Sequence, residues 1–130
     1  MVNSIDRFLG VHPQALLLES RRTELLAANL ANADTPNYKA RDIDFKAELA
    51  AAGSSAGADG RSGGSAGGIN LATDNATLKY RVPLAPALDG NTVDSQLEQS
   101  AFAENSVRYQ ATLTLLNSKL RGLMTAITGQ

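Results

Sequence analysis

The C-terminal part of this chain restricts its fold more than any other segment. From Phe102, the positions Ser106, Tyr109, Leu113, Leu116, Leu120, Leu123 and Ile127 recur at alternating steps of four and three. That spacing sets one face of a helix against a partner. Only Ser106 interrupts the apolar seam. Ser95-Gln96-Leu97-Glu98 fits a capping box, in which the Ser oxygen and the Glu carboxylate satisfy free backbone donors at a helix start. Asp94, Glu98 and Glu104 lie toward that start and Arg108, Lys119 and Arg121 toward the end, the arrangement a helix dipole favours. A helix from Ser95 to Ile127 is about 50 Å long, and a seam of that length needs partners all along it.

A second apolar helix is expected near the other end. Pro13 suits a first helical position, and the stretch from Pro13 to Ala33 carries Ala15, Leu18, Leu25 and Ala28 at helical spacing, widened by Leu16, Leu17, Leu26 and Leu30. A stripe so broad implies more than one neighbour. A short helical piece, Ser4 to Leu9, precedes it, with Gly10 and His12-Pro13 marking a break.

Between these helices the chain is poor in large apolar side chains. Pro36 biases Thr35 away from helix and Asn37 tolerates positive φ, so a turn is expected there. Tyr38 to Phe45 then reads as extended chain. Residues 50–68 are Gly, Ser and Ala with few exceptions and cannot offset the entropy of ordering, so a flexible insert is expected. Leu71 to Val82 suits a short strand or hairpin ended by Pro83 and Pro86, and Asp89-Gly90 is a turn signal.

The resulting fold class is mainly α: two long terminal helices packed as a coiled-coil-like pair, with a middle that is extended, short-β and disordered. The chain divides into an N-terminal helical arm (1–33), a turn and extended segment (34–49), the insert (50–68), a short extended or β segment (69–90) and a long C-terminal helix (91–130). A two-helix core offsets little of the loop-closure entropy of the roughly sixty residues between the helices. An isolated monomer is therefore expected to be marginal, and stacked copies would bury every helical face.

Composition narrows the function. Of 130 residues 43% are apolar, yet only three Tyr and three Phe occur and Trp is absent, so large core side chains are scarce. Twelve Lys and Arg are interspersed with thirteen Asp and Glu, which leaves no basic face for nucleic acid. The lack of cysteine removes disulfides, thiolate metal sites and thiol nucleophiles. No segment has the roughly 20 apolar residues of a membrane span, and the N-terminus lacks a signal-peptide core, so export by a cleaved signal is not expected.

The candidates for chemistry are few. His12 is the sole histidine, and with no acid placed to orient it the expected use is surface or capping. Asp42 and Asp44, two apart in extended chain, could touch a cation, but without further ligands a solvated face or an ion pair to Lys39, Arg41 or a partner is the better reading. The glycines of 60–68 lack the Gly-Lys-Ser/Thr ending of a phosphate loop, and Asn75-Ala76-Thr77 is a sequon too common by chance to count. The Leu seam reads as a plain intramolecular core or as something more. No other segment has enough large apolar residues to be its complete partner.

Two stretches resemble a known family. Leu25 to Phe45, "LLAANLANADTPNYKARDIDF", is similar to the Asn-Ile/Leu-Ala-Asn-x-x-Thr-Pro-Gly-Tyr motif of the axial rod, hook and filament proteins of the bacterial flagellum, with Asn29, Asn32, Thr35, Pro36 and Tyr38 matching. Asn37 stands where the family usually has Gly, and Asn is the next best residue at positive φ. The closing stretch, "DGNTVDSQLEQSAFAENSVRYQATLTLLNSKLRGLMTAITG", resembles the short proximal rod members through Asn91-Thr92-Val93, Ala103-Glu104-Asn105 and Tyr109-Gln110.

The resemblance implies a non-enzymatic subunit of the flagellar rod, located in the basal body across the periplasm, that joins the inner-membrane ring to more distal axial proteins. It implies as partners other copies of the chain, other rod proteins, the ring with its adaptor, and the type III export machinery. No cofactor, metal, nucleic acid or small-molecule substrate is expected. Taken with the seam, the residues expected at subunit interfaces are Leu18, Leu25, Asn29, Asn32, Thr35, Pro36, Asn37, Tyr38, Tyr109, Leu113, Leu116, Leu120, Leu123 and Ile127. Two rivals stand beside this reading. A small enzyme would need convergent polar groups in a pocket, and a secretion-needle or chaperone-like hairpin would have a tight turn between its helices.

Overall fold

The computed structural model describes residues 3–57 and 78–129. In chain order these form α1 (Asn3–Leu9), α2 (His12–Ala31), β1 (Arg41–Ile43), α3 (Phe45–Gly57), β2 (Leu78–Tyr80) and α4 (Ser95–Thr128). Gly10, at φ 61°, turns the chain between α1 and α2. With Pro13 in its first turn, α2 starts without the side-chain cap that many helices use, and His12 opens it without capping it.

The helix pair expected from the sequence is present. α2 lies antiparallel to α4, as the pairings of Asn29 with Glu98 and of Thr23 with Asn105 show. Lys119 reaches the Phe8 carbonyl at 3.4 Å, so α1 continues along the far end of α4. β1 and β2 pair antiparallel with Arg41 opposite Tyr80, Asp42 opposite Lys79 and Ile43 opposite Leu78. This ribbon sits against the C-terminal half of α2.

The packing face of α4 differs from the seam read in the sequence. Going along α4, the buried and half-buried positions are Glu98, Ala101, Phe102, Asn105, Tyr109, Thr112, Leu116, Lys119 and Leu123. Half of the seam is thus covered by the rest of the chain, while Ser106, Leu113, Leu120 and Ile127 are exposed. Glu98, Asn105 and Thr112 each find a hydrogen-bond partner on α2.

Three local expectations change. Asp94, not Ser95, caps α4: its Oδ1 accepts from the amides of Gln96 and Leu97, and Glu98 is committed to the interior instead of reaching back. The chain from Phe45 to Gly57 is helical where extended chain and then a flexible insert were expected. Asp44 accepts from the Ala47 amide at its start, and alanine needs no core to favour helix. Residues 58–68 of the insert and 69–77 of the segment after it lie outside the described residues. β2 ends at Tyr80 and not at Val82, with Pro83 following closely.

The described interior is small and unusually polar. Its apolar members are Ala15, Leu18, Leu25, Leu26, Ala40 and Ile43, and beside them Glu19, Asn29, Asn91, Glu98 and Asn105 are buried as well.

Candidate functional site

The turn at Thr35 to Tyr38 is a structural joint. Tyr38 donates its amide to the Thr35 carbonyl at 3.3 Å and Asn37 sits at φ 60°, as a four-residue turn with Pro second and Asn third requires. The turn is held by the segment that leads into α4. Asn37 N–H donates to the Asp89 carbonyl, Thr92 N–H to the Tyr38 carbonyl, and Thr92 Oγ1 accepts from the Ala40 amide. Asn91, nearly fully buried, points Nδ2 at the carbonyls of Asn32, Ala33 and Thr35 at 3.0, 2.7 and 2.9 Å. It gives the C-terminal end of α2 the donor that helix ends lack. Gly90 is at φ 74°, and a Cβ there would come within 2.5 Å of Asn37 Oδ1.

A charged network lies beneath this joint. Asn29 Nδ2 donates to Glu98 Oε2 and to the Arg41 carbonyl, and its Oδ1 accepts from the Arg41 amide. Arg81 donates to Glu98 Oε1 at 2.7 Å and to Asp42 Oδ2 at 2.6 Å, while Arg22 forks onto both oxygens of Asp42. Two helices, β1 and the residue just after β2 therefore share one set of hydrogen bonds. Burial alone would push the Asp42 carboxyl up, but hydrogen bonds from Arg22, the Ile43 amide and Arg81 outweigh it and hold Asp42 below its ordinary range. Asp44 pairs with Lys79 at 2.6 Å. The two aspartates are thus ion-pair partners, to Arg22, Arg81 and Lys79 and not to Lys39 or Arg41. Among the described residues no cluster of three or more His, Asp or Glu could hold a metal.

A second buried polar contact lies midway along the helix pair. Asn105 Nδ2 donates to the Glu19 carbonyl and to Thr23 Oγ1, and Glu19 Oε1 accepts from Thr112. Burial raises the Glu19 carboxyl above its ordinary value, only partly offset by Thr112 and by the charge of Arg108.

The structure sorts the expected interface residues into two groups. Leu18, Leu25 and Asn29 are buried within the chain, and Asn32, Tyr38, Tyr109, Leu116 and Leu123 are half-buried there. Thr35, Pro36, Asn37, Leu113, Leu120 and Ile127 are at the surface. Arg22, Asp42, Arg81 and Glu98 escape sequence reasoning because nothing local marks long-range ion partners. Asn91 and Asn105 do carry a signal: both belong to the motifs that bear the family resemblance, and both turn out to be cross-chain donors.

A hairpin of terminal helices, closed internally by polar bonds and carrying a row of leucines on its outer side, has the build of a subunit for helical assemblies. Residues 9–39 match the family of flagella basal body rod proteins. Over 123 residues, covering 94% of each chain, this one is 53% identical to the flagellar basal body rod protein FlgB of Cereibacter sphaeroides. It is 42% identical to FlgB of Salmonella typhimurium over 99% of each chain, and 39% identical to FlgB of Escherichia coli K12 over 98% of this chain and 97% of that one. The chain belongs to the FlgB family of flagellar basal body rod proteins.

Proposed function

We propose that this chain is a non-enzymatic structural subunit of the proximal rod, linking the inner-membrane ring to the distal rod through its terminal helices. The observation that carries this reading is the row Leu113, Leu120 and Ile127, which the chain's own packing leaves 38%, 39% and 76% exposed. An apolar row of this kind on a long helix is suited to burial against neighbouring subunits. Its partners are other copies of the chain, other rod proteins, the ring with its adaptor, and the type III export machinery that delivers the chain without signal cleavage. No described helix is long and apolar enough to cross a membrane.

The test separates the inner half of the seam from the outer half. Leu116→Ala should lower the stability of the purified monomer. The combined Leu113→Ala, Leu120→Ala and Ile127→Ala variant should still fold cooperatively in urea unfolding, at some cost because Leu113 and Leu120 are 38% and 39% exposed and so largely covered, yet lose motility and basal-body incorporation. Full motility in the combined variant would sink the proposal.

A further inference from the structure

The buried contact midway along the helix pair is short of one donor. Asn105 spends both hydrogens of Nδ2, on the Glu19 carbonyl and on Thr23 Oγ1, each at 2.8 Å. The Thr23 hydroxyl gives its hydrogen to that same carbonyl at 2.9 Å, and the Thr112 hydroxyl gives its own to Glu19 Oε1 at 3.1 Å. Two acceptors are left over, Glu19 Oε2 and Asn105 Oδ1, both on side chains almost wholly buried, and neither meets a donor. Turning the Asn105 carboxamide over does not help, because it sets Oδ1 against the Glu19 carbonyl.

The charged groups around the contact are engaged elsewhere. Arg108 of α4 acts on Glu19 across the pair but is itself bound to Glu104, and Arg22 of α2 is held by Asp42 of β1. On α3, which also packs against α2, Lys46 acts on Asp44, and Glu48 has the same sign as Glu19. Tyr109, half-buried between Asn105 and Thr112, is the other titratable side chain that α4 places at this register. One proton on Glu19 Oε2 answers both orphaned oxygens, since it turns that oxygen into a donor and removes the buried charge.

We infer that Glu19 and Asn105 form a proton-operated clasp between the helices: Glu19 Oε2 carries a hydrogen and donates it to Asn105 Oδ1, and loss of that proton to water opens α4 from α2 around residues 105–112. With the proton in place, every polar atom of the contact named above has a partner. Without it, a carboxylate faces a carboxamide oxygen in the interior, and the helices part to hydrate both. Burial already favours the neutral form and raises the Glu19 carboxyl above its ordinary 4.5. The clasp is shut below 4.5 and weakens as the pH rises from there through the raised value at which folded Glu19 ionises. It belongs to the single chain and does not depend on the rod reading.

Carbon-13 NMR of the Glu19 carboxyl and amide hydrogen exchange along α4, both on the purified chain, test the clasp together. Glu19 should ionise at a midpoint above 4.5, and the protection of amides 105–112 should fall about tenfold per pH unit from 4.5 up to that midpoint and then level off. Glu19→Gln supplies the same donor without a titrating proton, its Nε2 facing Asn105 Oδ1 and its Oε1 keeping Thr112, so it should hold the acid-side protection at every pH. Asn105→Ala removes the acceptor and should move the Glu19 midpoint back toward 4.5. The parent and Glu19→Gln decide the matter even if Asn105→Ala does not fold. A water bridging the two oxygens would instead leave Glu19 ionised. A midpoint at or below 4.5, protection lost in Glu19→Gln, or protection of 105–112 unchanged through the midpoint would each overturn the clasp.

Discussion

Asn29 of α2 and Glu98 of α4, 69 positions apart in the chain, share a 3.1 Å hydrogen bond at a point where both side chains are fully buried. A carboxylate so placed is tolerable only because Arg81 meets its other oxygen and Asn29 the first. The helix pair is therefore aligned by a charge that has one place to go.

Removing one partner of that pair should be costly. Glu98→Ala leaves the Arg81 guanidinium with Asp42 alone, and a loss of about 2 to 3 kcal/mol is expected, toward the low side for buried pairs because Arg81 retains some solvent contact. Adding Arg81→Ala should cost less than the sum of the single changes, since the orphaned charge disappears. Urea unfolding of the two singles and the double would show it, and strict additivity would contradict the network.

Asn91 should be the most sensitive residue of the joint. Asn91→Ala strips the shared donor from the carbonyls of half-buried Asn32 and Ala33 and of exposed Thr35, and should cost about 1 to 3 kcal/mol. Asn91→Asp should be worse than Ala at neutral pH, because it aims a carboxylate at those same oxygens. Thermal unfolding of both variants checks the order.

The turn offers a coupled pair. Asn37→Gly should be neutral or slightly stabilising, and Asn37→Val disruptive by about 1 to 2 kcal/mol, since a β-branched residue resists the positive φ found there. Gly90→Ala should be damaging in the parent and less so with Asn37→Gly, because the clash with Asn37 Oδ1 is gone and only the strained φ remains. Equal cost in both backgrounds would refute the close approach.

Two carboxyls should impose opposite pH dependence. Asp42 is held below its ordinary 3.8, so the folded state binds fewer protons than the unfolded one in that window. Its stabilisation is present above 3.8 and is lost as the pH falls toward the depressed value. Glu19 is raised above its ordinary 4.5 by burial, so the folded state holds the proton more tightly, and stability falls as the pH rises through the raised value. Glu19→Gln should flatten the profile just above 4.5 and Asp42→Asn the profile below 3.8, read as unfolding midpoints against pH.

Local chemistry in the sequence determined α1, α2 and α4, the break at Gly10, the turn at Thr35 to Tyr38 and the helical start near Ser95, because spacing, proline and capping residues act within a few positions. Fold class and family were legible for the same reason: the motifs are short and contiguous. Tertiary structure alone decided how α4 is rotated. A heptad count sees only apolar side chains, and it set Leu113, Leu120 and Ile127 in one seam with Leu116 without dividing those that meet α2 from those left for neighbouring subunits. In the structure Glu98, Asn105 and Thr112 bond to α2 and occupy that face, which leaves Leu113, Leu120 and Ile127 more exposed than Leu116. The same limit hid Arg22, Asp42 and Arg81, whose meeting depends on β1 and β2 pairing across a long intervening segment. It also hid α3, where Asp44 and a run of alanines sufficed for a helix that no apolar pattern announced.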